Sequence, residues 1–218
     1  IDMSKKYDAI LFDFDFTLAD ASEGIEHCLV EAFKAMDLDF VSPGMENYTQ
    51  GITMIEFIKQ HSDVTDPDVH EQIRLKYMEF ADVVMSDMTK LFDDTHESLL
   101  HLKDSGYKLG VVSNKYRFRI EEYLERNNYI HLFDTIIGME DMANPKPAPD
   151  GILMAINNIG TSAERSLFIG DNPIDAGAAR NAGTDFIGIS RFGHKHFESA
   201  EIEFLTIINT LEELKSHL

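Results

Sequence analysis

Cysteine is almost missing from this sequence: Cys28 is the only one in 218 residues. That excludes an intramolecular disulfide framework and any cysteine-rich zinc site. Positive charge is scarce as well. Nineteen Lys and Arg stand against 39 Asp and Glu, for a formal net charge of −20. A surface that negative repels phosphate backbones and anionic lipid, so neither nucleic acid nor a membrane surface is an expected partner. No apolar run reaches the roughly 18 residues needed to cross a bilayer. Asp13 interrupts the apolar stretch after Lys5 and Lys6, which leaves no signal-peptide pattern, and the expected location is cytoplasmic. Neither G-x-x-x-x-G-K-[ST] nor G-x-G-x-x-G occurs, which disfavours nucleotide-cradle folds. Hydrophobic residues make up 44% and charged residues 27%, enough for a packed core and against global disorder. Residues 1–2, ahead of Met3, are set aside as an addition to the natural start.

Short apolar runs recur at Tyr7–Phe12, Lys108–Ser113, Thr135–Gly138, Ser166–Gly170 and Asp185–Ile189. Each has strand length without polar alternation, as strands buried on both faces of a parallel sheet do. Helix-period segments separate them. Thr95 is placed to cap a helix that stops at Gly106, and Arg117–Arg126 follows the second of the longer runs. Pro149 suits the first turn of a helix ending near Gly160, and Asn172-Pro173 opens one that stops at Gly183. The alternation predicts an α/β domain. Residues 20–90 break the rhythm. Asp20-Ala21-Ser22-Glu23 reads as a capping box. Ile25, Cys28, Leu29, Ala32, Phe33 and Met36 then form one helical stripe, and Thr53–Gln60 and Val69–Val84 also carry helical period. The expected organisation is a discontinuous core, 3–19 and 91–218, with an all-helical insert over 20–90.

Asp13-Phe14-Asp15-Phe16-Thr17 closes the first strand. Period-two alternation puts Asp13 and Asp15 on one face, at the carboxyl end where open α/β sheets receive ligands. A calcium loop also opens this way, but Leu18 stands where it needs Gly and Gly24 where it needs Glu. Gly170-Asp171-Asn172-Pro173-Ile174-Asp175 repeats acids at a second strand end, and the two sets can converge on one hard cation. Lys146, flanked by Pro145 and Pro147, is the candidate for compensating charge. Ser113-Asn114-Lys115 offers a hydroxyl and backbone N–H groups leading into a helix, a place for phosphate. Plainer readings stand beside these: a polar turn, a helix-terminal charge, a solvated lysine, a capped helix start. They leave the repetition of acids at two strand ends unexplained. Cys28 and the methionines Met54 and Met85 read as packing, and His194 and His196 as solvent-exposed loop.

In this order the segments resemble the haloacid dehalogenase (HAD) superfamily, specifically its helical-cap phosphatases similar to phosphoglycolate phosphatase and β-phosphoglucomutase. The resemblance spans roughly the whole chain. It implies a HAD-like, Rossmann-like parallel sheet flanked by helices, with a helical cap. The implied activity is Mg²⁺-dependent hydrolysis of a small phosphate monoester through an aspartyl-phosphate. Asp13 would be the nucleophile, and Asp15 the general acid and then base. Ser113 and Lys146 would hold phosphoryl oxygens, and Mg²⁺ would sit on Asp13, Asp171, Asp175 and the carbonyl of Asp15. Thr17, behind the aspartates, joins Asn114 and the cap residues Gln50 and Gly51 as candidate substrate- or phosphate-binding residues. One departure is Phe16, where the family usually has Gly; a Phe there removes backbone freedom in the turn toward the cap.

Other activities remain open beside this one. Family mutases carry an arginine in the cap's substrate loop, whereas Tyr48–Met54 has none, which favours hydrolysis. An inorganic pyrophosphatase on the same fold is a further alternative. A dehalogenase has no use for the second aspartate. From another class, a non-catalytic phosphate-binding protein is disfavoured because every charged residue of the motif set is present. The expected partner is a small phosphorylated metabolite, and the expected assembly a monomer or homodimer.

Overall fold

Apolar residues fill β1 (Ala9–Phe12) without a break and all four are buried, as a central parallel strand requires. The computed structural model describes residues 5–44, 47–48, 52–193, 197 and 205–218. After β1 come β2 (Ala19–Asp20), three helices, α1 (Ser22–Lys34), α2 (Met54–His61) and α3 (Pro67–Val84), and then β3 (Lys90–Leu91). From there strands and helices alternate: α4 (Thr95–Asp104), β4 (Lys108–Val112), α5 (Arg117–Arg126), β5 (Thr135–Ile137), α6 (Asp150–Ile159), β6 (Ser166–Gly170), α7 (Pro173–Ala182), β7 (Asp185–Ile189) and β8 (Thr206–Ile208). Six strands form one sheet in the order β5-β4-β1-β6-β7-β8, and every neighbouring pair is parallel. β2 and β3 make a separate two-stranded ribbon. Phe12 lies level with Val111 of β4 and Ile169 of β6. This register brings Asp13, Ser113 and Asp171 to the same carboxyl edge. The chain reverses across β1 between β5 and β6, so that edge is also the topological switch point.

Alternate residues of β1 feed two cores. Ile10 and Phe12 pack with Leu99, Leu102, Ile120 and Leu124, while Leu11 packs with Ile152, Ala155, Ala176 and Ala179. Burying each large side chain stabilises the fold by about 1.5–3 kcal/mol. The described residues divide into two compact units, one made of the segments up to Asp20 and from Leu91 on, the other of Ala21–Lys90. No helix among them is long and apolar enough to cross a membrane.

Several local expectations shift. Thr95 is the first residue of α4, behind Asp94, and its hydroxyl donates to the Leu18 carbonyl at 2.9 Å. The N-cap of α1 is Ala21 rather than Asp20, and its side chain makes no cap hydrogen bond. The capping box of the helical unit is Thr53 with Glu56. In α3 the buried residues are His70, Ile73, Tyr77 and Ala81. β8 is an additional strand that the apolar runs did not disclose.

Candidate active site

The Asp13 amide donates to the Ile169 carbonyl at 2.9 Å, so strand pairing continues one residue past β1 and fixes the carboxylate at the sheet edge. Asp171 follows β6 directly, and Asp175 lies in the first turn of α7, whose start is capped by the Asn172 side chain. A Cβ on Gly170 would collide with the Asp175 carboxylate. Its absence lets Asp175 fold back over the strand end. There Asp175 Oδ2 accepts from the amides of Asp171 and Asn172 at 3.2 and 3.3 Å, and Oδ1 accepts from Lys146 Nζ at 2.6 Å. Lys146 Nζ also stands 2.8 Å from Asp13 Oδ1. That contact is ionic without hydrogen-bond alignment, since this oxygen has no hydrogen-bond partner.

These four side chains are buried, Asp175 completely. Burial pushes the Asp171 carboxyl well above the usual carboxylate range, and the charges of Asp175 and Asp13 push it further. Burial also drives Asp175 up to about 6, against the opposing pull of Lys146. For Lys146 burial works downward, but Asp13 and Asp175 outweigh it and hold the ammonium above its ordinary value. Carboxylate oxygens of Asp13, Asp171 and Asp175 lie within 4.8 Å of one another. Asp171 Oδ2 is buried with no hydrogen-bond partner. Crowded hard oxygens, one of them orphaned, fit a hard divalent cation such as Mg²⁺. Asp175 already has both oxygens engaged, so it braces the group as much as it can ligate.

Asp15 stands apart from that triad. Lys115 Nζ lies 2.8 and 3.2 Å from its two oxygens, and its side chain is 24% exposed. Its carboxylate is held by Lys115 and is not one of the three grouped around Asp13. Ser113 is buried, its amide bonded to the Ile137 carbonyl at 3.0 Å and its hydroxyl accepting from the Lys115 amide at 3.3 Å.

The structure shows what surrounds three of the expected phosphate-binding groups. Asn114 spends its side chain on Lys146: the Lys146 amide donates to Oδ1 at 2.9 Å and Nδ2 donates to the Lys146 carbonyl at 3.2 Å. It aims the lysine. Thr17 is wholly buried, its hydroxyl unpartnered and its carbonyl held by Arg191, so it supports the loop from behind. The helix after Ser113 begins only at Arg117, and the amides of Arg117 and Phe118 donate to the Glu140 carboxylate at 2.7 and 3.2 Å. An acid of this chain already fills that helix start. Gln50 and Gly51 lie outside the described residues, as do His194 and His196.

Sequence reasoning missed two cations as site residues: Lys115 on Asp15, and Arg191 behind the Asp13–Thr17 loop. Each lies within a few residues of a strand's carboxyl end, which was the one signal available. Phe16 has φ 62, the left-handed region that glycine enters freely and a bulky side chain enters at a cost of about 1–2 kcal/mol.

Comparison with known proteins places this arrangement. The chain belongs to the haloacid dehalogenase-like hydrolase family, whose model matches residues 10–189. It is 31% identical over 176 residues to a phosphoglycolate phosphatase of Aquifex aeolicus, covering 80% of this chain and 81% of the relative. It is 29% identical over 188 residues to pyrophosphatase PpaX of Bacillus velezensis, covering 85% and 84%. Among solved structures, a haloacid dehalogenase-like hydrolase of Bacteroides fragilis superposes with a TM-score of 0.84 at 38% identity, over 96% of this chain and 100% of that one. The protein is thus a hydrolase of this family with its parallel α/β fold.

Proposed function

We propose that the protein is a Mg²⁺-dependent, cytoplasmic phosphatase that hydrolyses a small phosphate monoester through an aspartyl-phosphate on Asp13. The observation that carries this reading is the Asp13 carboxylate, fixed at the end of the central strand beside Lys146 and Asp171. Asp13 attacks phosphorus, and the leaving oxygen takes its proton from Asp15. Asp15 then takes a proton from water, whose oxygen attacks the phosphorus and returns Asp13 as carboxylate. Splitting the displacement in two lowers each barrier. Ser113 and Lys146 hold the phosphoryl oxygens, and Lys115 holds the Asp15 carboxylate within reach of the leaving group. Asp13, Asp171 and the Asp15 carbonyl would hold Mg²⁺, with Asp175 alongside; when bound, Mg²⁺ neutralises the anionic oxygens as charge shifts toward the leaving group.

The unit Ala21–Lys90 is proposed as the cap that chooses the substrate, with the core supplying the chemistry. The partner is a small phosphorylated metabolite, the protein acting as monomer or homodimer. The names of the relatives make phosphoglycolate and pyrophosphate the first two compounds to test, the second as the alternative reading. The deciding experiment is turnover across a panel of phosphate esters and pyrophosphate, with Mg²⁺ and with chelator, for wild type and Asp13→Asn. The variant keeps the size and loses the attacking charge, so turnover should drop by roughly 10³-fold or more. Substantial hydrolysis by Asp13→Asn would end the covalent mechanism, and selective turnover of pyrophosphate would favour the alternative.

A further inference from the structure

We propose that Arg191 and Asp94 form a positioning clamp that keeps the loop of Asp13 and Asp15 in working shape by holding Phe16 in its left-handed turn. Arg191 follows β7, and its side chain is 6% exposed. Its Nη1 lies 2.8 Å from both Asp94 oxygens, while Nε and Nη2 donate to the Thr17 carbonyl at 3.3 and 2.9 Å. The guanidinium stacks 4.3 Å from the centre of the Phe92 ring. Asp94 is fixed in turn by the Leu211 amide at 2.6 Å. The next carbonyl of the loop, Leu18, accepts from the Phe92 amide at 3.1 Å and the Thr95 hydroxyl at 2.9 Å. Phe192, adjacent to Arg191, meets the rings of both Phe16 and Phe92 edge-on at 6.1 Å.

The loop has internal bonds of its own. The Phe16 amide donates to the Ala19 carbonyl at 2.7 Å, and the Leu18 and Ala19 amides share the Phe14 carbonyl at 3.0 and 3.1 Å. Those bonds need φ positive at Phe16, a conformation that an L-side chain leaves unless its surroundings over-determine it. A planar fork that binds two acceptors at once is the group that can do so, and a lysine cannot reproduce it. Asp15 is bonded directly to Phe16. Relaxation of that turn therefore swings the proton-transfer carboxylate away from a phosphate still held by Ser113 and Lys146. Arg191 touches no reacting atom and acts through Thr17 and Phe16.

The activity arm of the test rests on the phosphatase reading; the exchange arm does not. Arg191→Met and Arg191→Lys are each made alone and on Phe16→Gly, and assayed on p-nitrophenyl phosphate with inorganic phosphate as competitive probe. Arg191→Met should lower kcat about 30- to 100-fold, the scale of a one-ångström misplacement. KM and phosphate inhibition should stay within about threefold, because phosphate-holding groups are untouched. Arg191→Lys should recover only part of the loss. On the Phe16→Gly background, Arg191→Met should cost less than about threefold, since glycine holds positive φ unaided. Phe16→Asn, which tolerates the same φ and keeps more volume, repeats the comparison if the glycine variant folds poorly. Hydrogen exchange at the Phe16, Leu18 and Ala19 amides should speed up in Arg191→Met and much less so with glycine present. Equal kcat losses on both backgrounds, a KM change that tracks kcat, or unchanged exchange at those amides would overturn the clamp. If the wild type hydrolyses nothing in the panel, the phosphatase reading falls and exchange alone decides the clamp.

Discussion

Asp171 and Lys146 occupy one buried cluster yet respond to removal with opposite signs. Three carboxylates share the site with one ammonium, and without a cation they repel one another at low dielectric. Asp171→Asn keeps the shape and removes one charge, so the metal-free protein should melt higher, by about 2–4 °C per kcal/mol relieved. Mg²⁺ should raise the melting temperature of the wild type by mass action on the folded state, and should leave that of Asp171→Asn nearly unmoved. A variant that melts lower without metal, or still responds fully to Mg²⁺, would place the ion elsewhere. Lys146→Met goes the other way. It strands Asp13 and Asp175 without their shared partner, and breaking a buried pair costs about 3–5 kcal/mol. Urea denaturation in chelator measures it; a loss below about 1 kcal/mol, the worth of an exposed pair, would mean water already screens the cluster.

At the level of elements, the same Thr-Ile-Ile triplet makes both β5 and β8, but only the first was legible. Gly138 punctuates β5, whereas β8 runs into Asn209-Thr210-Leu211 with no turn glycine to mark its end. The long apolar strands disclosed themselves because burial on both faces leaves no polar alternation; Asp13, Asp171 and Asp175 were legible because chemistry collects at strand ends, and Lys146, in the loop before α6, because prolines flank it. The Arg191 clamp was not: its partners Asp94 and Thr17 lie 97 and 174 positions away in sequence. The bounds of α5 were legible, but its acidic partner was not, Glu140 being 23 residues on from Arg117. That partner makes a test. Glu140→Ala frees two helix-terminal amides and should destabilise the protein by about 0.5–2 kcal/mol, as loss of a cap does. Inhibition by inorganic phosphate should not change if, as proposed, Ser113 and Lys146 hold the phosphate. Tighter phosphate binding in Glu140→Ala would revive the helix terminus as a cradle.

Across the whole molecule, the sheet keeps different acids at its two edges. The carboxyl edge crowds Asp13, Asp171 and Asp175 together, while at the amino edge each acid has a cation. Asp8, just before β1, takes both arms of Arg165 at 2.6 Å. Asp134, just before β5, binds Lys103, Lys108 and the Leu109 amide, and Asp185, opening β7, binds Lys6 and Tyr7. The Arg165 guanidinium holds Asp8 below the ordinary carboxylate value. For Asp134 and Asp185 burial pushes upward, but their lysines, with the Leu109 amide or the Tyr7 hydroxyl, win and lower them too. A carboxylate lowered in the folded state adds stability that is complete above its unfolded value, near pH 4, and is lost as pH falls through the folded value. The paired edge should therefore fail in acid. The net charge of −20 works differently: its self-repulsion is greatest when every carboxylate is ionised, and salt screens it. Moderate salt at neutral pH should raise the melting temperature even though it weakens the exposed pairs. Asp8→Asn separates the two effects. It removes one negative charge and one lowered carboxylate, so it should destabilise the protein at neutral pH, and the deficit should shrink steadily below about pH 4. Denaturation midpoints of both proteins across that range measure it. A deficit that stays constant into strong acid would mean that Asp8 acts through packing, and that the Arg165 pair contributes nothing to the pH dependence.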